Sequence, residues 1–365
     1  MTAPEIPLFK VFLPPREALA GPLLDTLYSG RITEGPKVVE FERRFGEMIG
    51  NPNLLTCYSG TAALHLALML AGVGPGDEVV STAMTAEPTN MAILEAGARV
   101  AWADVDPANG NVTGASVAAA ITPRTKAIMV VHYGGIPAPL ADIHAVAERH
   151  GVPVIEDAAH ALGARYGGRS LGSHSPFVMF SFQAIKHMTT VDGGALAVAD
   201  PGLLPKGRRL RWFGIDRALP RLDVSVEEVG WKYHMNDVTA QIGLVQLDHI
   251  GPVLARHIDN GRWFDAALAG VPGLTVARWD AAAEPSYWFY TVLAENRDGL
   301  ARKLSEAGIA NSLIHRRNDE HPVFGPRVPL PGLDDFCARV LHFPCGWWVA
   351  DEDRERIAQT IRSGW

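Results

Sequence analysis

Apolar residues follow two periods along the first two-thirds of the chain. Short apolar runs at 53–58, 78–81, 127–132, 152–156, 178–181 and 194–198 have the length and β-branched content of strands covered on both faces. Between them, segments 60–71 and 139–150 repeat apolar residues at helical spacing. Leu64, Leu68 and Ala71 share one face of the first, and Leu140, Ile143, Val146 and Ala147 one face of the second. Gly72 suits the left-handed residue that ends a helix, and Pro75-Gly76-Asp77 reads as a turn. Strands spaced by amphipathic helices predict an α/β fold with a mainly parallel sheet and helices on both faces. From about residue 250 the texture changes. A helix at 249–268, strands at 274–277 and 286–294, a helix at 297–307 and a closing helix at 351–361 predict a smaller α+β domain. The expected division is a large domain over residues 1–250 and a small one over 251–365.

Composition narrows the class. With 365 residues, 47% hydrophobic and 20% charged, the chain can bury a large core, which excludes a disordered or fibrous protein. A formal net charge of −7 argues against nucleic acid or an anionic membrane surface as partner. No apolar run approaches the ~20 residues that cross a bilayer, and residues 1–10 lack the apolar stretch of a signal peptide. Cys57, Cys337 and Cys345 form no Cys-x-x-Cys pair and leave one over, which fits a reducing cytoplasm. No metal is expected. A soluble cytoplasmic enzyme is the expectation.

Parallel α/β sheets bind ligands beyond the carboxyl ends of their strands, so the residues following each strand carry the chemistry. After the first comes Ser59-Gly60-Thr61, opening a helix. Free N–H groups and the positive end of the helix dipole make a phosphate cradle there, although Ser and Thr in this position often only cap the helix. After 152–155 comes Glu156-Asp157-Ala158-Ala159-His160, where an ionised Asp157 in an apolar setting needs a cation or donors. Taken singly, Asp157 is better read as a helix cap and His160 as an ordinary imidazole at the core edge. After 178–182 comes Lys186, alone among apolar and small polar residues. Burial there would disfavour its charge and leave a nucleophilic amine, whereas an isolated loop lysine would mean nothing. Together, a phosphate site, a carboxylate and an unpaired lysine past the strands of one sheet are what pyridoxal phosphate requires.

These segments resemble, in order and along nearly the whole chain, the sugar-aminotransferase family named for DegT, DnrJ, EryC1 and StrS, a fold-type I branch of the pyridoxal-phosphate enzymes. The similarity is carried by Gly30-Arg31-Ile32-Thr33-Glu34-Gly35-Pro36, Ser59-Gly60-Thr61-Ala62-Ala63-Leu64, Asp104-Val105-Asp106, Glu156-Asp157-Ala158-Ala159-His160, Phe180-Ser181-Phe182-Gln183 with Lys186, and Tyr233-His234-Met235-Asn236-Asp237. The resemblance implies that Lys186 forms the Schiff base and moves the proton, that Asp157 pairs with the pyridine nitrogen, and that His160 lies against the cofactor ring. It also implies that Gly60, Thr61 and Ser181 contact the phosphate. Asn236 would serve the phosphate of the neighbouring subunit, so a homodimer with shared sites is implied. L-Glutamate would donate the amino group to a keto group of a nucleotide-linked deoxysugar. Relatives with His in place of the lysine dehydrate instead, so Lys186 points to transamination.

Three departures stand out. Ala86 in Thr85-Ala86-Glu87-Pro88 replaces the family's stacking aromatic, Val191-Asp192-Gly193-Gly194 replaces Gly-Glu-Gly-Gly, and His234 replaces an Arg. On the substrate side His315, Arg316 and Arg317 offer groups suited to an anion, and a solvated loop is the alternative. Arg211-Trp212-Phe213-Gly214 is expected at the site rim, Trp347-Trp348 in packing or as a substrate wall, and 217–230 as an entrance loop. Competing readings are an aminocyclitol aminotransferase, a pyridoxal-phosphate sugar dehydratase, and a non-catalytic partner subunit of the same fold.

Overall fold

The computed structural model describes residues 5–365; the first four residues of the segment read for a leader lie outside the described residues. The strands are, in chain order, β1 (Leu54–Cys57), β2 (Glu78–Thr82), β3 (Arg99–Ala103), β4 (Thr125–Val131), β5 (Val154–Asp157), the short β6 (Arg165–Tyr166) and β7 (Arg169–Ser170), β8 (Phe177–Ser181), β9 (Gly194–Val198), β10 (Leu274–Val276), β11 (Ala283–Glu284), β12 (Tyr290–Ala294) and β13 (Val340–Phe343). Seven form the main sheet in the order β1-β9-β8-β5-β4-β2-β3. Only β9 runs against its neighbours; the pairs from β8 through β5, β4 and β2 to β3 are parallel. The predicted mainly parallel sheet is therefore the observed one.

Side chains of a strand point alternately to its two faces, and β8 shows the consequence. Val178 and Phe180 pack with Phe41 and Phe45 of α2 (Pro36–Ile49), while Phe177 and Met179 pack with α3 (Gly60–Leu70) on the other side. Both faces are dry, which is why these strands read as unbroken apolar runs. The face assigned to the first helix was too narrow. Residues of α3 are buried nearly all round, because the helix is enclosed by other elements, and Ala71 is its half-exposed C-cap.

The second half departs further. After α4 (Glu87–Glu95), α5 (Gly114–Ala120), α6 (Leu140–His150) and α7 (Leu204–Leu210), the helix expected at 249–268 is the end of α8 (Asp237–Ala267), 31 residues long, with Pro252 inside it. Position 250 lies within this continuous helix, which packs on α1 (Arg16–Tyr28) and α2. Beyond it, β10, β12 and β13 form an antiparallel sheet, with α9 (Arg297–Glu306) and α11 (Asp351–Arg362) packed against it through Leu300, Leu304, Ile357 and Ile361. The strand expected at 286–294 starts only at Tyr290, because Tyr287 takes a left-handed φ of 49°. Trp347 and Trp348 make packing contacts rather than a wall for the cavity at the strand ends. Their indole N–H groups donate to the carbonyls of Lys10 and Pro7 and fasten the N-terminal segment across the small sheet's side of the molecule.

Candidate active site

Val131, Asp157 and Ser181 end β4, β5 and β8, and all three line one cavity of about 370 Å³. Opposite them stands the start of α3. Ser59 accepts from the Ala62 N–H at 3.1 Å, so it is the cap that the plain reading assigned. This leaves the N–H groups of Gly60 and Thr61 ahead of the first intrahelical bond, at the positive end of the helix. A side chain at Gly60 would have its Cβ 3.1 Å from the Ser181 Cβ and 3.2 Å from the Met179 sulfur, so glycine keeps the cradle open.

Asp157 is buried. Its two oxygens accept from the Thr89 hydroxyl at 2.8 Å and the Ala159 N–H at 3.0 Å. Burial pushes its pKa up, opposed by these two donors and by the positive charge of Lys186. The Lys186 amine reaches the same cavity. Burial draws its pKa down to about 8, against the weaker pull of the Asp157 charge, so about a tenth of it is free amine at pH 7, far more than an ordinary lysine offers. His160 and His315 are kept neutral, first by burial and then by the lysine's charge. Their rings lie parallel within 4°, with centroids 5.5 Å apart, and the buried Nδ1 of His160 has no partner among the described residues.

Other expected residues stand elsewhere. Arg317 does not reach the cavity as expected. It is buried, with its guanidinium bound to Asp319 at 2.7 and 2.8 Å and also to Asp334. Arg316 is exposed and pairs with Glu320 at 2.9 Å. Arg211, expected at a rim, is buried; it binds Glu34 and Glu42 and donates to the Thr56 carbonyl. Asn236 is half-buried and does not line the cavity; its Oδ1 caps α8 by accepting from Thr239. Residues 217–230, expected as an entrance loop, do not line the cavity.

Sequence reasoning missed Trp288, which lines the cavity and stacks on His160 at 4.0 Å. No spacing rule would have found it, since it lay in a run read as plain strand.

The loop after Lys186 keeps the left-handed turn despite its altered sequence. Val191 has φ 78°, and its N–H donates to the Thr189 hydroxyl at 2.9 Å. A left-handed conformation costs a non-glycine residue about 1–2 kcal/mol, more than the 0.5–1 kcal/mol or so that glycine loses in entropy. Val191→Gly is therefore expected to raise stability by about 0.5–1 kcal/mol, read as a higher melting temperature. A lower one would mean that the exposed isopropyl group makes a contact of its own.

The model of the DegT/DnrJ/EryC1/StrS aminotransferase family matches residues 16–362. The chain belongs to that family. It is an aminotransferase of fold-type I. Among solved structures it is similar to the sugar aminotransferase CalS13 from Micromonospora echinospora, at 40% identity over 99% of this chain and 100% of that one, with a TM-score of 0.95. AtS13 from Actinomadura melliaura is 41% identical over the full length of both chains, with a TM-score of 0.95. DesV from S. venezuelae, solved in complex with a ketimine intermediate, is 30% identical over 99% of this chain and 98% of that one, with a TM-score of 0.91. Within this family fold, the cavity offers an anion cradle, a buried carboxylate and a poised amine on one side of the sheet.

Proposed function

We propose that the protein uses pyridoxal phosphate to take an amino group from L-glutamate and deliver it to a keto group of a nucleotide-linked deoxysugar. The observation that carries the reading is the convergence of Lys186, Asp157 and the start of α3 on one cavity. The residues fit the cofactor: Gly60 leaves room for a phosphate, and the buried His160 Nδ1 lacks a partner that a polar ring substituent would supply. When bound, pyridoxal phosphate supplies an aldehyde that condenses with amines and a ring that accepts electrons.

The side chains then divide the work. Lys186 would hold the cofactor through its aldehyde and, when free, would take the proton from the donor's α-carbon as general base. Its pKa of about 8 lies near working pH, where such a base is most effective. Asp157 keeps the ring nitrogen protonated, and the same burial that raises its pKa strengthens its attraction to a facing cation. Thr89 and the Ala159 N–H fix its orientation. Gly60, Thr61 and Ser181 would hold the phosphate, and His160 would lie against the ring. Leu64, Met179 and Ile185 give the cavity apolar walls that limit water.

The sugar rests on the likeness to CalS13; the nucleotide and L-glutamate rest on the motifs matched above. His315 on the cavity wall and the exposed Arg316 beside it are the candidates for meeting the sugar nucleotide. With its Oδ1 engaged as a helix cap, Asn236 keeps its amide N–H groups for a neighbouring subunit's phosphate, which supports a homodimer with shared sites. No helix among the described residues is long and apolar enough to cross a membrane, and we propose that the enzyme works in the cytoplasm.

The test is a half-reaction. L-Glutamate added to the pyridoxal-phosphate-loaded protein is expected to convert the cofactor's visible absorption to that of its amine form and release one equivalent of 2-oxoglutarate per site. A panel of nucleotide-linked keto sugars should then reverse the change. An unchanged spectrum would reject the donor, and a protein that binds no cofactor would reject the reading.

A further inference from the structure

We propose that Trp288 is a positioning residue for Lys186, its indole setting where the ε-amino group stands in the cavity. The proposal rests on the pyridoxal phosphate reading of the site. Trp288 is 2% exposed and touches the lysine at both ends. Its Nε1–H donates to the carbonyl of Ile185 at 2.8 Å, the residue just before Lys186, and the Lys186 Nζ stands 3.9 Å from the ring centroid. Among the described residues no carboxylate is within ion-pair distance of that amine, so the electron-rich indole face is its nearest charge-seeking partner. A lysine otherwise rotates freely about its four-carbon stem.

The ring is itself held firmly. Phe9 of the N-terminal segment stacks on it at 4.6 Å and 27°, and His160 at 4.0 Å and 20°. Beneath it, the backbone N–H of Trp288 donates to the Gly134 carbonyl at 3.0 Å.

The fold accepts strain to aim this side chain. Tyr287, immediately before it, has φ 49°, a conformation that persists in a non-glycine residue only where the surroundings over-determine it. Here they do. The Tyr287 hydroxyl donates to Asp265 at 2.6 Å, and its carbonyl accepts from the Nδ1–H of His257 at 2.9 Å. Its ring lies over Gly261, where a Cβ would come within 2.2 Å of it. Gly134 is itself left-handed at φ 64°, and a Cβ there would press Phe289 at 2.8 Å. Two glycines, one strained tyrosine and two buried polar bonds converge on the backbone that carries Trp288.

A residue that acts through Lys186 has a signature that mere packing lacks. The aldehyde form of the cofactor condenses with the lysine amine and releases water, whereas the amine form cannot. Cofactor-free protein is titrated with pyridoxal phosphate and, separately, with pyridoxamine phosphate. Trp288→Phe, which loses the Nε1–H bond to the Ile185 carbonyl and leaves a weaker ring face for the amine, is expected to weaken the aldehyde form about tenfold, and the amine form by no more than about threefold. In a Lys186→Ala background the same substitution should leave no difference between the two forms. Phe9→Ala, which removes only the stacked neighbour, should shift the aldehyde form in the same direction by less. Equal weakening of both forms, or a difference that persists without the lysine, would overturn the proposal. Wild-type protein that binds neither form would overturn the cofactor reading and this proposal with it.

Discussion

Lys186→Ala is expected to lower the rate of the L-glutamate half-reaction by at least about 10⁴-fold, because one side chain supplies both the covalent tether and the proton carrier. The phosphate cradle at Gly60 and Thr61 is untouched, so the variant should still bind pyridoxamine phosphate. Stability separates this loss from misfolding. The amine's pKa is about 8 when folded, against an ordinary value of 10.5. Below pH 8 both states hold the proton, and the folded state carries the full cost of a desolvated ammonium. Between about pH 8 and 10.5 the unfolded chain binds more protons, so stability rises with pH. Lys186→Met, which keeps the stem, is therefore expected to stabilise the cofactor-free protein at pH 7 by about 1–3 kcal/mol. The gain should vanish towards pH 10.5. A loss of stability at pH 7 would mean that the ammonium is well paired when folded.

Asp157→Asn should be nearly as damaging to catalysis and almost silent in stability. The amide keeps the geometry, with its oxygen accepting from the Ala159 N–H and its NH₂ donating to the Thr89 hydroxyl. What it loses is the negative charge facing the ring nitrogen. The half-reaction is expected to slow by about 10²–10⁴-fold, the range that removal of a charge-stabilising or proton-handling group costs. Melting of the cofactor-free protein should be unchanged or slightly higher, since burial already penalises the ionised carboxyl. An active Asp157→Asn enzyme would remove the carboxylate from the mechanism.

Much of this arrangement was legible in the sequence, for identifiable reasons. Strands β4, β5, β8 and β9 are covered on both faces, so their apolar runs stood out, and the residues just past them were marked by topology alone. Asp157 and Lys186 could be picked out because each is a charged residue just past an apolar run, whereas Ser181 was marked only by the family resemblance. Trp288 could not, because an indole in a run read as strand looks like core until Tyr287 is seen to turn it towards the lysine. Arg317 misled in the opposite way. A cationic cluster signals an anion site, but Asp319 lies two residues on and Asp334 comes from α10 (Pro331–Arg339), and together they occupy the guanidinium. The start of α8 was missed: the expected helix began at 249, yet it starts at Asp237, and Gly251-Pro252 lies inside it. In the structure, packing on α1 and α2 carries the helix through it.

The most direct test of the central claim is chemical trapping. Protein loaded with pyridoxal phosphate is reduced with borohydride, digested and read by mass spectrometry. The account predicts a pyridoxyl label on the peptide that carries Lys186, absent from Lys186→Ala. A label on another lysine, or none on a protein that has bound the cofactor, would contradict it.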